Sequence, residues 1–186
     1  MVTRELEILN LPIKGSFVIT PKEFRDERGV FLKLYDRDLL KSLNIEPLFV
    51  EEYLSISSKG TVRGLHYQLR PWNQSKLVRC VSGAVYDAIV DICRSSETFG
   101  VYHSLILSAE NKQSIYVPNT CAHGFLALES NSAVSYKADN DYSPQHERGI
   151  MWNDKSLGIQ WPHMDEYVVS KKDKSWPTFK DAEKFT

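Results

Sequence analysis

Three residues in one short stretch, Arg63, His66 and Lys76, carry side chains that could do chemistry. They stand among Val, Leu and Tyr residues, which are typical of β-strands. Side chains alternate along a strand, so Val62, Gly64 and His66 are expected to share one face. A lone buried histidine is more often a satisfied core residue than a proton-transfer group. A dry core does not tolerate unpaired cations, however, so three such groups within one expected hairpin predict a pocket for an anion.

The elements that would position these residues are mostly short strands, separated by Gly, Pro, Asn or Ser clusters that indicate turns. Asp36 is expected to cap the one convincing helix, 37–43. The segment 24–29 is expected to be a charged turn, and Ser82-Gly83 a tight hairpin turn. Many short strands and little helix predict a β-sandwich or barrel. We predict strands at 16–20, 30–35, 48–57, 61–68, 76–81, 84–92, 101–107, 114–117, 124–128 and 133–138.

Composition bounds the class of protein. The 186 residues are 42% hydrophobic and 25% charged, which is typical of one soluble globular domain. A formal net charge of −1 argues against general binding to nucleic acid or to an anionic membrane. No apolar run approaches the roughly 20 residues of a membrane span, and the N-terminus lacks a signal-peptide pattern. Three widely spaced cysteines favour reduced thiols and a cytoplasmic location.

Other candidate groups are weaker when judged from the residues alone. Arg28 precedes a glycine at a strand entry, where an exposed arginine is usually just solvated. His123 also precedes a glycine at the mouth of a strand, and Tyr136 could equally be a core residue with a bonded hydroxyl. Asp173 lies in a polar, Lys-rich tail that begins near residue 167 and would be dismissed as surface.

The histidines do not indicate a metal site. A jelly-roll metal centre usually needs a His-x-His pair with further converging ligands. Here His66 is followed by Tyr67 and Gln68, and the remaining histidines are scattered. We therefore expect neither a metal nor another cofactor.

Six segments together resemble the dTDP-4-dehydrorhamnose 3,5-epimerase family. Any one of them would be a weak signal, but six in the right order over one domain are a strong one. The resemblance runs from about residue 12 to about residue 176. The segments are Gly-Leu-His-Tyr-Gln at 64–68, Lys-Leu-Val-Arg-Cys-Val-Ser-Gly at 76–83, Val-Asp-Ile-Cys-Arg-Ser-Ser-Glu-Thr-Phe-Gly at 90–100, Ala-His-Gly-Phe-Leu-Ala-Leu at 122–128, Tyr-Lys-Ala-Asp-Asn-Asp-Tyr-Ser-Pro at 136–144 and Met-Trp-Asn-Asp at 151–154.

The resemblance implies an all-β, cupin-like jelly roll with one or two short helices, in a single domain of residues 1–186. Members of this family usually form homodimers that exchange N-terminal strands, and they act without a metal. They invert C3 and C5 of a nucleotide-linked 4-keto-6-deoxy sugar on the way to L-rhamnose.

The resemblance also implies roles for individual residues. By position, His66 matches the general base, and Asp173 matches the carboxylate that orients it, which brings the polar tail into the site. Tyr136 matches the acid on the opposite face, and Lys76 the cation near the developing enolate. Arg28 and Arg63 match phosphate-binding positions. The other residues expected to line the substrate pocket are Lys33, Glu51, Tyr53, Gln68, His123, Glu147 and Lys172.

The chemistry makes sense of these residue types independently. A proton next to a ketone is only weakly acidic, so its removal needs a base of near-neutral pKa and a group that stabilises the enolate. A histidine beside a carboxylate supplies the first, and a lysine ammonium the second. Inversion also needs a proton donor on the opposite face. A tyrosine hydroxyl can serve if the site lowers the cost of ionising it.

Two departures from the family pattern put the substrate in question. Lys33 stands where the family commonly has Glu, and Glu51-Glu52-Tyr53 stand where it commonly has Gln-Asp-Asn. A different nucleotide such as CDP, a different deoxysugar, or inversion at only one carbon therefore stay open. A non-catalytic sugar-binding cupin and a metal-dependent cupin enzyme are the remaining alternatives.

Overall fold

Short strands are the main regular elements of the computed structural model, which describes residues 6–43, 45 and 48–186. Two short helices, Arg37–Ser42 (α1) and Lys171–Lys174 (α2), accompany them, and no helix of the described residues is long and apolar enough to cross a membrane. In chain order the strands are Leu6–Asn10 (β1), Phe17–Pro21 (β2), Glu23–Asp26 (β3), Gly29–Leu32 (β4), Glu51–Ser57 (β5), Thr61–Gln68 (β6), Lys76–Ser82 (β7), Ala84–Asp91 (β8), Tyr102–Ser108 (β9), Ser114–Val117 (β10), Cys121–Ala127 (β11), Ser132–Ala138 (β12), Glu147–Gly149 (β13) and Val168–Val169 (β14).

Two sheets face each other across the main core. The first has the strand order β1-β2-β10-β7-β12-β5, and the second β13-β6-β11-β8-β9, with β14 parallel to β6. Inward side chains of both sheets form one apolar cluster, which includes Val78 and Val134 from the first sheet and Ile89 and Phe125 from the second. This is the sandwich arrangement in which alternate residues of each strand are buried. The predicted all-β, jelly-roll class is confirmed.

All ten predicted strands are present, with ends that move by three residues or fewer. The predicted charged turn at 24–29 is wrong in part. Its residues belong mostly to β3 and β4, which pair with each other as a separate two-stranded sheet. Neither face of a two-stranded ribbon needs to be buried, so its strands can lack the alternating apolar pattern of a half-buried strand. A run of charged residues there is therefore easily taken for a turn.

The predicted helix is confirmed as α1. The side chain of Asp36 accepts hydrogen bonds from the backbone N–H groups of Asp38 and Leu39, each at 3.0 Å. Such a cap satisfies donors that have no partner within the helix. Leu40 is buried on the outer face of the first sheet, with Leu39 and Leu43 packed beside it.

The prediction that Ser82-Gly83 closes a hairpin is wrong. The chain does turn there, with Gly83 at φ +69°. However, β7 before the turn belongs to the first sheet, and β8 after it belongs to the second. The step is a crossing between sheets. Local turn chemistry is the same in both cases, and only the pairing of distant strands separates them.

Strand β6 carries one extra residue relative to its neighbour β11. The partners of Arg63 and His66 on β11 are only two residues apart, although Arg63 and His66 are separated by three. Such a bulge reverses the alternation of side chains. Arg63 and His66 therefore line the same cavity. The prediction that Val62, Gly64 and His66 share one face is wrong, because it assumed an unbroken strand.

We expect Gly64→Ala to destabilise the fold strongly. Gly64 has φ +132°, and a Cβ there would lie 2.5 Å from the Cα of Gly124 on β11. Gly29 is a matched control, because its φ is +126° and nothing lies within 4 Å of its Cβ position. Backbone strain of about 1–3 kcal/mol is common to both changes, and the clash adds about 1–3 kcal/mol only at Gly64. Urea denaturation of both variants tests this expectation, and equal losses would contradict it.

Candidate active site

The described residues enclose adjoining cavities around His66, between the two sheets. One open cavity has a volume of about 200 Å³ and is lined by Tyr53, His66, Tyr67, Gln68, Gln74, Lys76, Tyr136, Tyr142 and Glu147. A second shares His66, Lys76 and Tyr136 with the first, and adds Arg63, His123 and Phe125. Most of the predicted site residues thus converge on one region of the molecule.

His66 and Asp173 form a hydrogen-bonded pair, the His66–Asp173 dyad, although they are far apart in sequence. Nε2 of His66 lies 2.7 Å from Oδ1 of Asp173. Strand β14 lies beside β6 and leads into α2, which carries Asp173. The Ser170 hydroxyl caps α2 by accepting the Asp173 backbone N–H at 2.9 Å. Asp173 is only 3% exposed, whereas the His66 side chain is 30% exposed and faces the cavity.

The Asp173 carboxylate is held in its ionised form. Burial raises its pKa, but the hydrogen bond and charge of His66, the Gly64 N–H and the Trp176 indole together leave the pKa below its ordinary value. An ionised carboxylate fixes the tautomer of a bonded imidazole and supports its charged form. Asp173 is therefore suited to orient His66 as a base.

Tyr136 reaches the cavity from β12, in the sheet opposite His66. Its hydroxyl lies 3.1 Å from the Ser55 hydroxyl. Burial raises the pKa of Tyr136 well above its ordinary value, and the Ser55 bond only partly offsets this. The condition that the site eases ionisation of this phenol is thus not met by the described residues. The phenol is instead kept protonated, which is the form that a proton donor requires.

Two cations face the same cavity from opposite sheets. Lys76 begins β7 in the first sheet, and Arg63 lies on β6 in the second. Burial lowers the pKa of Lys76, and the charges of Glu147 and Asp139 oppose this effect. Nε of Arg63 donates to the Ser57 hydroxyl at 3.1 Å. These cations converge on one cavity, but from two sheets, so the prediction that they lie within one hairpin is wrong.

His123 belongs to a second, more deeply buried pair. Its Nε2 lies 2.8 Å from Oδ2 of Asp87, and both side chains are almost fully buried. The ring of His123 meets that of Tyr136 edge-on, with centroids 6.1 Å apart. Asp87 was missed by sequence reasoning. The signal was present, because a carboxylate inside the apolar strand β8 needs a buried partner.

Glu147 ties together three elements at the rim of the cavity. Its Oε2 accepts the Tyr142 hydroxyl and the Lys172 ammonium, each at 2.5 Å. The Glu147 bond raises the pKa of Tyr142 to about 12, so the phenol ring stays neutral. Glu51 contacts the same loop, where its carboxylate accepts a hydrogen bond from the Tyr142 backbone N–H at 2.9 Å.

Gln68 and Tyr53 line the cavity in different ways. The Gln68 amide is fully engaged by the backbone, since it accepts from the Ser143 N–H at 2.6 Å and donates to the carbonyls of Trp72 and Asp141. It shapes the wall and holds the neighbouring loop. Tyr53, on β5, contributes an aromatic wall.

The structure does not bring Arg28 and Lys33 to this cavity within one chain. Arg28 lies at the turn between β3 and β4, where its guanidinium pairs with Asp26 at 2.5 Å. Lys33 pairs with the helix-capping Asp36 at 2.6 Å. Both residues belong to the N-terminal hairpin region, apart from the two large sheets.

Tyr142, Trp176 and Gln74 are further site residues that were not singled out from the sequence. Each stands in a polar loop or near a chain end, where its type alone carries no signal. Only their packing around the cavity and the dyad reveals them. Residues 6–43, 45 and 48–186 contain no group of three or more His, Cys, Asp or Glu side chains that could hold a metal ion.

A histidine paired with a carboxylate, a protonated phenol and two cations thus surround one cavity. A base can remove a proton next to a carbonyl, a nearby cation can stabilise the resulting enolate, and a donor can return a proton. The fold and the site define a jelly-roll enzyme built for acid–base chemistry on an anionic substrate.

Comparison with known proteins identifies the family. The dTDP-4-dehydrorhamnose 3,5-epimerase family model matches residues 10–181. The enzyme of that name from Shigella flexneri is 42% identical over 181 residues, which are 97% of this chain and 99% of that protein. The crystal structure of the same enzyme from Elizabethkingia anophelis NUHP1 is 39% identical, with a TM-score of 0.92 over 96% of this chain and 98% of that one. This chain belongs to the dTDP-4-dehydrorhamnose 3,5-epimerase family.

A ligand-bound structure is also similar. The dTDP-6-deoxy-D-glucose-3,5-epimerase of Legionella pneumophila Philadelphia 1, in complex with dTDP-4-keto-L-rhamnose, is 37% identical. Its TM-score is 0.91 over 95% of this chain and 94% of that one.

We expect Asp173→Asn to cost stability in a pH-dependent way. The pKa of Asp173 is lowered in the folded state. Its stabilising contribution is therefore complete above the unfolded value of about 3.9, and is lost as pH falls through the lower folded value. At pH 7 the free energy of unfolding should drop by about 1.5–3 kcal/mol.

Urea denaturation between pH 7 and pH 3 measures this difference. The gap between wild type and Asp173→Asn should narrow as pH falls from about pH 5 through the folded-state pKa of Asp173. Asp165→Asn, at an exposed position, is the control and should show little gap at any pH. A gap that widened at low pH would contradict the expectation.

Proposed function

We propose that this chain is a nucleotide-sugar epimerase that inverts C3 and C5 of a dTDP-linked 4-keto-6-deoxyhexose in deoxysugar biosynthesis leading to L-rhamnose. The observation that carries the proposal is the His66–Asp173 pair at 2.7 Å, facing a cavity that Lys76 and Tyr136 also line. Family membership and the ligand of the Legionella relative support the same substrate class.

His66 acts as the base in each inversion. Its neutral imidazole takes the proton from the carbon next to the C4 ketone, and the C–H electrons move into the carbonyl to give an enolate. Asp173 stabilises the imidazolium that forms. The Lys76 ammonium stabilises the negative charge that develops on the C4 oxygen. Tyr136 then delivers a proton to the opposite face of the same carbon, so that the configuration is inverted.

The cations and aromatic rings around the base suit the rest of the substrate. Arg63 supplies a guanidinium that matches phosphate oxygens in geometry and charge. Tyr53 and Tyr142 offer apolar ring faces to a nucleobase. We infer that Glu147 and Lys172 hold the rim of this pocket, since their ion pair joins β13 to α2.

We expect Tyr136→Phe to separate proton removal from inversion. The variant keeps His66 and Asp173, so it should still exchange substrate protons for deuterium in D2O. Inverted product should fall by about 100- to 10,000-fold, which is the usual contribution of a general acid. NMR of a dTDP-linked 4-keto-6-deoxy sugar in D2O follows C3 and C5 separately.

His66→Ala is the matched counterpart of this experiment. It removes the base, so exchange and inversion should both be abolished. Equal loss of exchange and inversion in Tyr136→Phe would reduce Tyr136 to a packing residue. Retention of most turnover by His66→Ala would reject the proposed function. A purely sugar-binding protein would show no exchange at all, and a metal-dependent enzyme would lose exchange to a chelator.

We also propose that residues 1–186 form one domain and that two copies assemble into a dimer that exchanges its N-terminal hairpins. The hairpin β3–β4 forms no pairs with the large sheets. It exposes apolar side chains, including Phe31 at 71%. Arg28, at its tip, lies away from the cavity of its own chain. In an exchanged dimer, Arg28 binds the diphosphate in the partner's site.

We expect complementation between Arg28→Ala and His66→Ala. Each variant alone should be impaired, with Arg28→Ala raising KM by roughly ten- to a hundredfold. A mixed dimer of the two carries both lesions in one site and none in the other. Co-expression should therefore restore about a quarter of wild-type activity if subunits pair at random.

Arg25→Ala is the control for this experiment, because Arg25 lies on the same hairpin and pairs with Glu23. It should leave KM unchanged. Mixed dimers without restored activity would show that Arg28 acts within its own chain or not at all.

A second candidate function follows from Tyr53, which lines the cavity where the family commonly has a small amide. The added bulk favours an altered sugar or nucleotide, such as a CDP-linked one, or inversion at a single carbon. Comparing kcat/KM for dTDP- and CDP-linked substrates, with exchange at C3 and C5 followed separately, decides between the two candidates. Full 3,5-epimerisation of the dTDP-linked substrate at ordinary efficiency would reject this second candidate.

A further inference from the structure

The carboxylate of Asp173 accepts hydrogen bonds from more than its catalytic partner. Oδ1 accepts from Nε2 of His66 at 2.7 Å and from the indole Nε1–H of Trp176 at 3.3 Å. Oδ2 accepts from the backbone N–H of Gly64 at 3.3 Å. His66 and Trp176 thus share one oxygen atom.

Trp176 is held in place by the strand next to the base. Its ring lies where a side chain of Gly149 would stand, since a Cβ on Gly149 would come within 2.5 Å of the indole. Gly149, on β13, is the register partner of His66 on β6. The rings of Trp176 and His66 also meet edge-on, with centroids 6.4 Å apart. The absence of a side chain at 149 therefore seats the indole against the dyad.

Two donors on one carboxylate oxygen compete with each other. An indole N–H is a donor only, so its bond always favours the ionised carboxylate and lowers its basicity. A less basic carboxylate stabilises a bonded imidazolium less. The neutral imidazole, which is the form that removes a proton, then persists to lower pH.

We propose that Trp176 is a positioning residue that holds Asp173 in place beside His66. It also reduces the stabilisation of the imidazolium by Asp173, so that His66 stays an effective base at lower pH. The inference rests on the proposed role of His66 as the base. The indole touches Asp173 and does not contact the cavity in which the substrate is proposed to bind, so it acts through the dyad.

Other charged or titratable groups also face the dyad, from each element packed around it. They are Arg63 on β6, Lys76 on β7, His123 on β11, Tyr136 on β12, Glu147 on β13 and Lys172 on α2. A Trp176→Phe change leaves all of them in place. The ammonium of Lys172 lies 5.6 Å from the Trp176 ring centre, and a phenyl ring preserves an aromatic face there.

The test is the pH profile of kcat/KM in Trp176→Phe. Loss of the N–H should move the acid limb to higher pH by about half a pH unit, which is about a threefold loss of kcat/KM below the limb. KM above the limb should not change. A purely structural role would lower kcat at every pH without moving the limb. An unmoved limb, or one moved to lower pH, would overturn the proposal.

Two further variants guard against trivial effects. Replacing Trp176 with β-(3-benzothienyl)alanine removes only the N–H and keeps the shape of the ring, so it should reproduce the shifted limb. Trp161→Phe is the matched control, because Nε1 of Trp161 donates to the Trp152 carbonyl at 2.8 Å, away from the dyad. Its limb should coincide with that of wild type.

A measurement without substrate separates this inference from the proposed function. The C2–H resonance of His66, assigned by its loss in His66→Ala, should titrate at higher pH in Trp176→Phe than in wild type. An identical titration would reject the role of Trp176. A protein that showed the shifted titration but no exchange of any 4-keto sugar nucleotide would reject the proposed function, while the effect of Trp176 on the His66–Asp173 pair would stand.

Discussion

The hydrogen bond between His66 and Asp173 joins the second sheet to the C-terminal segment, and the site depends on it. The bond needs a carboxylate kept ionised in a nearly dry position, which burial alone opposes. The C-terminal segment is accordingly anchored on both sides. Strand β14 pairs with β6, and Phe185 packs into a core cluster with Tyr67, whose hydroxyl donates to the Glu183 carbonyl. A loose tail would leave His66 without its orienting group.

The site lies where the sandwich core gives way to polar side chains. Val78 on β7 and Ala127 on β11 belong to the dry core, while Lys76 and His123 on the same strands line the cavity. Rigid strands from opposed sheets thus set the relative positions of the imidazole, the phenol and the two cations. The same burial lowers the pKa of Lys76 and raises that of Tyr136. Such shifts are typical of functional sites, because desolvation strengthens the interactions that catalysis uses.

The departures from the family pattern have unequal physical weight. Lys33 is paired with Asp36 and Glu51 with the Tyr142 backbone, so each has a partner outside the main cavity. Tyr53 alone of the three lines the cavity directly. A change of shape at a cavity wall alters the fit of every substrate, whereas a charge engaged elsewhere acts only indirectly. Specificity in this chain is therefore expected to depend on Tyr53 first.

Local patterns in the sequence determined much of this protein. Strand alternation and turn residues located the sheets, the Asp36 cap located α1, and the converging cations pointed to an anion pocket. Family resemblance brought in Asp173, which composition alone had assigned to the surface. Three features were decided only by the tertiary structure. They are the bulge that places Arg63 and His66 on one face, the crossing of the chain from one sheet to the other at Gly83, and the packing of the Trp176 ring against Gly149. Each depends on contacts between strands or segments distant in sequence, and such contacts leave no periodic signal in the residues that make them.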